Sequence, residues 1–329
     1  MKLQLPSILS ALVLIAGCGV QSRALRMPDF LQEGDKVALI SPASRIEIEL
    51  VDSIAMAIEQ LGLVPVYGVH IFDSLNNFAG SEAARRQDLL WALKAPEIKA
   101  IMCTRGGYGS VHILCNLPLK ILRKYPKWIS GYSDITALLS AEICAGNMGI
   151  HSNMGLRPAM GEETDSIGLM LKRILYGELP TYHSAPHELD NCGSAEGILI
   201  GGNLSVFSGL AGSDYDFFKA LRNKDIILFI EDINENCRKV DRMLHQMIVR
   251  GVMKNVKGII VGRFVDCEAS NGFDDIYQML HYYLKDLDIP IAYDFPVGHD
   301  ESYNYPLIEG CRVLFSVSPE GSTLRFLRK

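Results

Sequence analysis

Residues 128–139 read Trp128-Ile129-Ser130-Gly131-Tyr132-Ser133-Asp134-Ile135-Thr136-Ala137-Leu138-Leu139, a pattern that predicts a short buried strand, an abrupt turn and then a helix. Ser133 lies at the turn. There its hydroxyl would stand at the carboxyl edge of a sheet, beside an amide at the N-terminus of the helix, which is the position of a nucleophile. A serine followed by aspartate and an apolar run is also a common helix cap, so this stretch alone leaves both interpretations open.

The segments before this stretch predict a parallel sheet. Apolar runs at 36–40, 64–67 and 100–103 are separated by segments with the composition or the apolar spacing of helices. Strands without polar alternation, separated by helices, are typical of a parallel sheet that is covered on both faces. The chain of 329 residues is long enough for two domains, and glycines within 195–204 predict the start of the second one after a polar linker.

A glycine-rich loop, 104–110, follows the third predicted strand and opens a helix. Such loops present backbone amides to an anion, but this one lacks the Lys-Ser/Thr of a P-loop and the glycine order of a dinucleotide site. In an open parallel sheet, ligands bind beyond the carboxyl ends of the strands. Since the loop and Ser133 follow successive strands, we expect their amides to converge on one point.

Two further catalytic candidates, Glu231 and His299, each stand where a buried apolar run gives way to a loop. A serine hydroxyl is a poor nucleophile until a histidine takes its proton, and that histidine needs a carboxylate to fix its tautomer. Ser133, Glu231 and His299 supply the three residue types, but their spacing does not show that they meet; a solvated strand end and a loop histidine are the alternatives. An α/β-hydrolase is disfavoured, because its Gly-x-Ser-x-Gly elbow has a glycine where Ile135 stands here.

The charge and the N-terminus restrict the class of protein. A formal net charge of -6 and the absence of any Lys/Arg run exclude a nucleic-acid partner. Residues 1–18 resemble a bacterial lipoprotein signal, since Lys2 and an apolar run lead to small residues directly before Cys18. The resemblance implies a lipid on the Cys18 thiol and a membrane-anchored lipoprotein on the periplasmic side of the cell envelope; a cytoplasmic chain with an apolar extension is the alternative. The other cysteines lack Cys-x-x-Cys spacing, so we expect no metal and no cofactor.

Five short motifs resemble those of the LD-carboxypeptidases, the muramoyltetrapeptide carboxypeptidases, and occur in the same order: Arg105-Gly106-Gly107-Tyr108-Gly109, Gly131-Tyr132-Ser133-Asp134, Gly201-Gly202-Asn203-Leu204, Glu231-Asp232 and Pro296-Val297-Gly298-His299. The resemblance covers nearly all of the chain after the signal segment. It implies a serine peptidase with Ser133 as nucleophile, Glu231 as carboxylate and His299 as base. It further implies an oxyanion hole formed by the amides of Asp134 and Gly107.

The family resemblance also implies a fold. It consists of an N-terminal α/β domain, 19–176, whose parallel sheet is like that of class I glutamine amidotransferases, and a smaller C-terminal α/β domain, 195–329, with β-barrel character. Residues 177–194 would link the two. Because the nucleophile belongs to the first domain and its two partners to the second, we expect the site in the cleft between them.

The reaction implied is hydrolysis of the bond between the L-centre of a diamino acid and the terminal D-alanine of murein tetrapeptides, through an acyl-enzyme. A carboxypeptidase must bind a free carboxylate, and Arg105 is the candidate cation. The alternative for Arg105 is a structural arginine paired with a carboxylate of its own domain.

Two other functions remain open. The family contains microcin C immunity peptidases, which cleave an aminoacyl-adenylate-like amide and typically carry a loop aromatic that stacks on the nucleobase. Neither Trp91 nor Trp128 lies in 177–193, which favours the murein substrate. The second alternative is a non-catalytic lipoprotein that binds muropeptides. A second copy of the chain, in a homodimer, is a further expected partner.

Overall fold

The computed structural model describes residues 25–154, 166–270, 272–300 and 303–328, which form two sheets flanked by helices. The predicted signal segment, 1–18, and the predicted lipidation site, Cys18, lie outside these residues. Within the described ranges, no helix is both long enough and apolar enough to cross a membrane.

Five parallel strands form most of the first sheet: β1 (Lys36–Ile40), β2 (Val64–Tyr67), β3 (Ile98–Cys103), β4 (Trp128–Gly131) and β5 (Gly149–His151). Their order across the sheet is β5-β4-β3-β1-β2, which confirms the predicted parallel sheet. Every residue of β4 is buried, as expected where helices cover both faces. The helices of this part of the chain are α1 (Ile48–Gln60), α2 (Glu82–Lys94), α3 (Ser110–Leu114), α4 (Leu119–Lys124) and α5 (Thr136–Ala145).

The rest of the chain builds the second sheet and its helices. Its elements are α6 (Ser166–Leu175), β6 (Thr181–Ser184), β7 (Gly193–Asn203), α7 (Leu204–Gly209), α8 (Phe217–Ala220), β8 (Ile226–Ile233), α9 (Cys237–Val249), β9 (Val256–Val265), α10 (Ile276–Leu284), β10 (Ile291–Ala292), β11 (Leu307–Glu309), β12 (Arg312–Ser318) and β13 (Gly321–Phe326). The strand order of this sheet is β10-β9-β8-β7-β12-β13-β6. Strands β7 to β10 are parallel, and β12, β13 and β6 pair antiparallel.

Strand β6 lies inside the segment that the sequence analysis treats as a linker. It pairs with β13 and therefore adds an edge strand to the second sheet. The sequence hides it because Tyr182 is its one buried side chain, among polar neighbours, so no apolar run marks the strand. The domain boundaries, the β-barrel character and the likeness to glutamine amidotransferases stay predictions.

Strand β11 comes from the predicted C-terminal domain but belongs to the first sheet. It pairs antiparallel with β5, so a segment from the C-terminal half adds a sixth strand to the first sheet. All three of its side chains are buried. A strand of three residues is too short to show a period of two, which is why the sequence does not predict it.

The two sheets meet at the carboxyl ends of their central strands. The Asn203 amide, at the end of β7, donates to Thr136 Oγ1 at 3.1 Å, and Thr136 is the first residue of α5. Gly202 makes this approach possible, because a Cβ at that position would lie 2.6 Å from Thr136 Oγ1. The end of β7 therefore lies against the helix that begins just after Ser133.

Candidate active site

Ser133 occupies a sharp turn between β4 and α5. It begins a single 3₁₀ turn, Ser133–Ile135, and its φ of 60° lies in the left-handed region that L-residues other than asparagine and aspartate rarely adopt. Holding a serine there costs of order 1–3 kcal/mol, and strain of this kind concentrates at functional sites. The turn therefore has the form of a nucleophile elbow, and the N-cap of the 3₁₀ turn is Tyr132 and not the serine.

Two glycines leave room for this elbow. A Cβ on Gly131 would lie 2.9 Å from Ile135 Cγ2, and a Cβ on Gly106 would lie 3.0 Å from Ser133 Cβ. The branched side chain of Ile135, which argues against an α/β-hydrolase elbow, is thus accommodated by the glycine two residues before the serine. The elbow is built differently from Gly-x-Ser-x-Gly and holds a half-buried serine at the same kind of strand-to-helix turn.

The two predicted oxyanion donors border the same cleft as Ser133. The Asp134 amide lies in the first turn of the helical segment, where N–H groups have no intrahelical acceptor. Its carboxylate accepts from the Ser110 amide at 2.7 Å, so the side chain is used to hold α3 in place. Ser44 braces the loop around Gly107: the Ser44 amide donates to Gly106 O, and Ser44 Oγ accepts from the Tyr108 amide.

Glu231 and His299 are in direct contact. His299 Nδ1 donates to Glu231 Oε2 at 2.7 Å, since a carboxylate can only accept, and this fixes Nε2 as the nitrogen left for a proton transfer. Glu231 is fully buried at the end of β8, and the His299 side chain is 10% exposed. Gly298 allows the contact, because a Cβ there would lie 3.1 Å from Glu231 Cβ. The structure therefore joins two of the three residues that the sequence could only place in order.

The charge of this pair sets the basicity of His299. Burial alone lowers the pKa of His299, but the hydrogen bond and negative charge of Glu231, with a smaller contribution from Asp232, outweigh it and raise the pKa above its ordinary value. The Tyr132 and His299 rings lie 5.0 Å apart, which places the histidine beside the residue before Ser133. The histidine therefore lies beside the elbow, although the residues that line the cleft next to Ser133 do not include it.

Asp232, the residue after Glu231, holds the end of β7 in place. Its carboxylate accepts from Asn203 Nδ2 and from the Ser205 amide, both at 2.9 Å. Asn203 Oδ1 in turn accepts from the Val206 amide and caps α7. Burial and the charge of Glu231 raise the pKa of Asp232 to about 7. These bonds fix the end of β7, on which the contact with Thr136 depends.

The cleft beside Ser133 has a volume of about 470 Å³. Both halves of the chain line it: Gly107, Tyr108, Val111, Ser133 and Asp134 from the first, and Asn203, Ser205, Val206, Gly209, Asp232, Ile233 and Glu235 from the second. Tyr108 is a site residue that sequence reasoning missed, although it lies inside the glycine motif. The residue is 58% exposed, which only the structure reveals.

Arg105 lies on the surface and is not among the residues that line the cleft. Its Nη1 donates to the carbonyl oxygen of Arg45 at 3.2 Å. That partner is a backbone group, whereas both expectations for Arg105 invoke a carboxylate. Its assignment to the substrate carboxylate stays a prediction.

The comparisons with known proteins show the family of the chain. The model of the LD-carboxypeptidase N-terminal domain matches residues 37–152, and that of the LD-carboxypeptidase C-terminal domain matches residues 196–314. The chain belongs to the LD-carboxypeptidase family.

Individual relatives cover most of the chain. The chain is 33% identical to the probable murein peptide carboxypeptidase of Bacillus subtilis, over 83% of this chain and 86% of that one. It is 30% identical to the murein tetrapeptide carboxypeptidase of Pseudomonas aeruginosa, over 80% and 88%. The crystal structure of muramoyltetrapeptide carboxypeptidase from Oxalobacter formigenes has the same fold, with a TM-score of 0.77 at 24% identity, over 89% of this chain and 99% of that one.

Proposed function

We propose that this chain is a serine LD-carboxypeptidase that removes the terminal D-alanine from murein tetrapeptides. The observation that carries the proposal is the buried Glu231–His299 hydrogen bond beside the strained Ser133 elbow. The names of the relatives from Bacillus subtilis and Pseudomonas aeruginosa support the substrate class. The role of such an enzyme would lie in peptidoglycan turnover or recycling.

In the proposed mechanism, Ser133 Oγ attacks the carbonyl carbon on the L-centre side of the scissile bond while His299 Nε2 takes the serine proton. The amides of Asp134 and Gly107 stabilise the oxyanion, and one such donor contributes about 3–4 kcal/mol. The C–N bond then breaks, D-alanine leaves with the proton from His299, and an acyl group stays on Ser133. Water, deprotonated by His299, hydrolyses this ester and restores the serine.

Release of D-alanine from a disaccharide tetrapeptide tests the proposal. The purified protein should release D-alanine, and Ser133→Ala should abolish release while the variant still binds the substrate, because only the nucleophile is lost. Ser140→Ala is the matched control, since Ser140 is buried in α5 and does not line the cleft. Undiminished turnover by Ser133→Ala would contradict the assignment of Ser133 as the nucleophile.

The rival substrate is an aminoacyl-adenylate analogue, because the Escherichia coli microcin C7 self-immunity protein MccF is 29% identical over 70% of this chain and 74% of that one. Trp128 is fully buried, with its ring stacked on Phe30, and neither Trp128 nor Trp91 lines the cleft. We therefore expect the murein tetrapeptide to be cleaved in preference when both substrates are assayed side by side. Preferential cleavage of the adenylate analogue would assign the immunity function, and binding without cleavage of either would indicate a muropeptide-binding protein.

For the location, we propose a lipid anchor at Cys18 and a periplasmic site of action. The support is the apolar run that ends in small residues before Cys18. Cys18→Ala should move the protein out of the membrane fraction. If the unaltered protein is already in the soluble fraction and Cys18→Ala does not change this, the cytoplasmic alternative is favoured.

A further inference from the structure

Asn304 is a fully buried side chain that the mechanism does not use. Its Oδ1 accepts from the Gly298 amide at 3.0 Å, and its Nδ2 donates to Asn153 Oδ1 at 2.7 Å. Gly298 directly precedes His299, while Asn153 follows β5 of the first sheet. One amide side chain therefore connects the loop that carries the base to the half of the chain that carries the nucleophile.

The orientation of the Asn304 amide is fixed by its partners. The Gly298 N–H can only donate, so the group facing it must be Oδ1, and Nδ2 must face Asn153. A full exchange of the oxygen and nitrogen would set two donors against each other in a buried place and leave both without an acceptor. The side chain thus behaves as a strut with one orientation.

The backbone next to Asn153 connects this side-chain contact to the strand that leads to Ser133. The Ser152 amide, next to Asn153, donates to the carbonyl oxygen of Gly131 at 3.1 Å, and Gly131 ends the strand that leads to Ser133. Three hydrogen bonds, with the Ser152–Asn153 peptide link between the first two, therefore connect the elbow strand through Asn304 to the residue before His299. The base of the His299 loop is closed separately, where the Tyr305 amide donates to the carbonyl oxygen of Pro296.

We propose that Asn304 is a positioning residue, which sets the place of His299 against Ser133 and Glu231 by fixing Gly298 to the first sheet. The inference rests on the proposed function, because a proton transfer between Ser133 and His299 is what it would align. Glu231 fixes which nitrogen of the ring is protonated, but it belongs to the second sheet. The loop that carries His299 runs from β10 of the second sheet to β11 of the first, and Asn304 bonds this loop, next to His299, to Asn153 beside β5.

Asn304→Ala should lower kcat about a hundredfold, the cost of a misplacement of about 1 Å, while KM changes less than about threefold. The matched control is Asn147→Ala. Asn147 is also buried, and its Nδ2 donates two hydrogen bonds, to Leu122 O and to Glu142 Oε2, neither of which involves the His299 loop. The two variants should lose comparable free energy of unfolding, and only Asn304→Ala should lose kcat. A fall in kcat no larger than that of Asn147→Ala would overturn the proposal.

An NMR titration of the His299 ring separates this inference from the proposed function, because it needs no substrate. In Asn304→Ala the pKa of His299 should fall, since a ring that drifts from Glu231 loses the contact that raises its pKa. An unchanged pKa in a folded variant would contradict the strut. If the unaltered protein releases no D-alanine, the proposed function fails, while this pKa comparison still decides on the strut.

A milder variant covers the case in which Asn304→Ala does not fold. Asn153→Ala removes the bond to Asn304 and leaves Asn304 in place to accept from Gly298. It should lower kcat and the pKa of His299 in the same direction and by less. Where both variants fold, the kcat of the double variant should be no lower than that of Asn304→Ala alone, because Asn304→Ala already removes the bond between the two side chains. A further loss of kcat in the double variant would contradict the proposal that Asn153 acts on His299 through Asn304.

Discussion

At the scale of single residues, Ser133 differs from every other strained position in the described part of the chain. The other non-glycine residues with positive φ are asparagines and aspartates, whose short polar side chains tolerate that region. Serine does not share this tolerance, and the lack of a Cβ on Gly106 and on Gly131 leaves room for the turn that Ser133 begins. Backbone strain at this one serine, more than the Ser-Asp sequence, favours the proposed nucleophile over a helix cap.

The Glu231–His299 pair makes a prediction at the same scale. Glu231→Gln should lower kcat about 10³–10⁴-fold, because an amide can donate to Nδ1 and stabilise the wrong tautomer of His299. The base works only when neutral, so a raised pKa places the acid limb of kcat/KM at higher pH. Loss of the Glu231 charge should therefore move that limb to lower pH, as measured by a pH–rate profile.

Glu196→Gln serves as the control for this change. Glu196 is exposed and paired with Arg312, and it does not line the cleft, so its rate and acid limb should match those of the unaltered protein. An acid limb that stays in place in Glu231→Gln would show that Glu231 does not set the pKa of the base.

At the scale of elements, the glycine loop after β3 does two things. Its backbone approaches the elbow, and Tyr108 stands out from it at the cleft, with its ring 6.1 Å from that of Phe78 and 5.2 Å from that of His112. An exposed ring that neighbouring rings hold in place is suited to pack against a bound substrate. The loop is thus expected to contribute to binding as well as to catalysis.

Tyr108→Ala should raise KM about tenfold, which corresponds to about 1.4 kcal/mol of lost apolar contact, and should change kcat less than about threefold. Steady-state kinetics with the tetrapeptide give both constants. Tyr282→Ala is the control, since Tyr282 is equally exposed, on α10, and does not line the cleft. An unaltered KM in Tyr108→Ala would remove the tyrosine from the binding site.

At the scale of the whole molecule, the site exists only where the two halves of the chain meet. The parallel sheet, the elbow and the order of the three catalytic candidates follow from apolar periodicity and turn chemistry, which are local properties of the sequence. Strand β11 does not follow from local properties. It has only three residues, and the strand with which it pairs lies more than a hundred positions earlier in the chain, so no local pattern marks it. Asn304 is hidden for the same reason: its partner Asn153 lies 151 positions away, and each is an ordinary polar residue in the sequence.

The central claim is that Ser133 is acylated by the peptide that loses D-alanine. The direct measurement is rapid quenching of the protein with a murein tetrapeptide, followed by mass spectrometry of the peptide that contains Ser133. The account predicts a transient adduct on Ser133 with the mass of the muropeptide without its D-alanine, formed at the rate of D-alanine release and missing in His299→Ala. Release of D-alanine with no adduct on Ser133 at any time, or with the adduct on another residue, would contradict it.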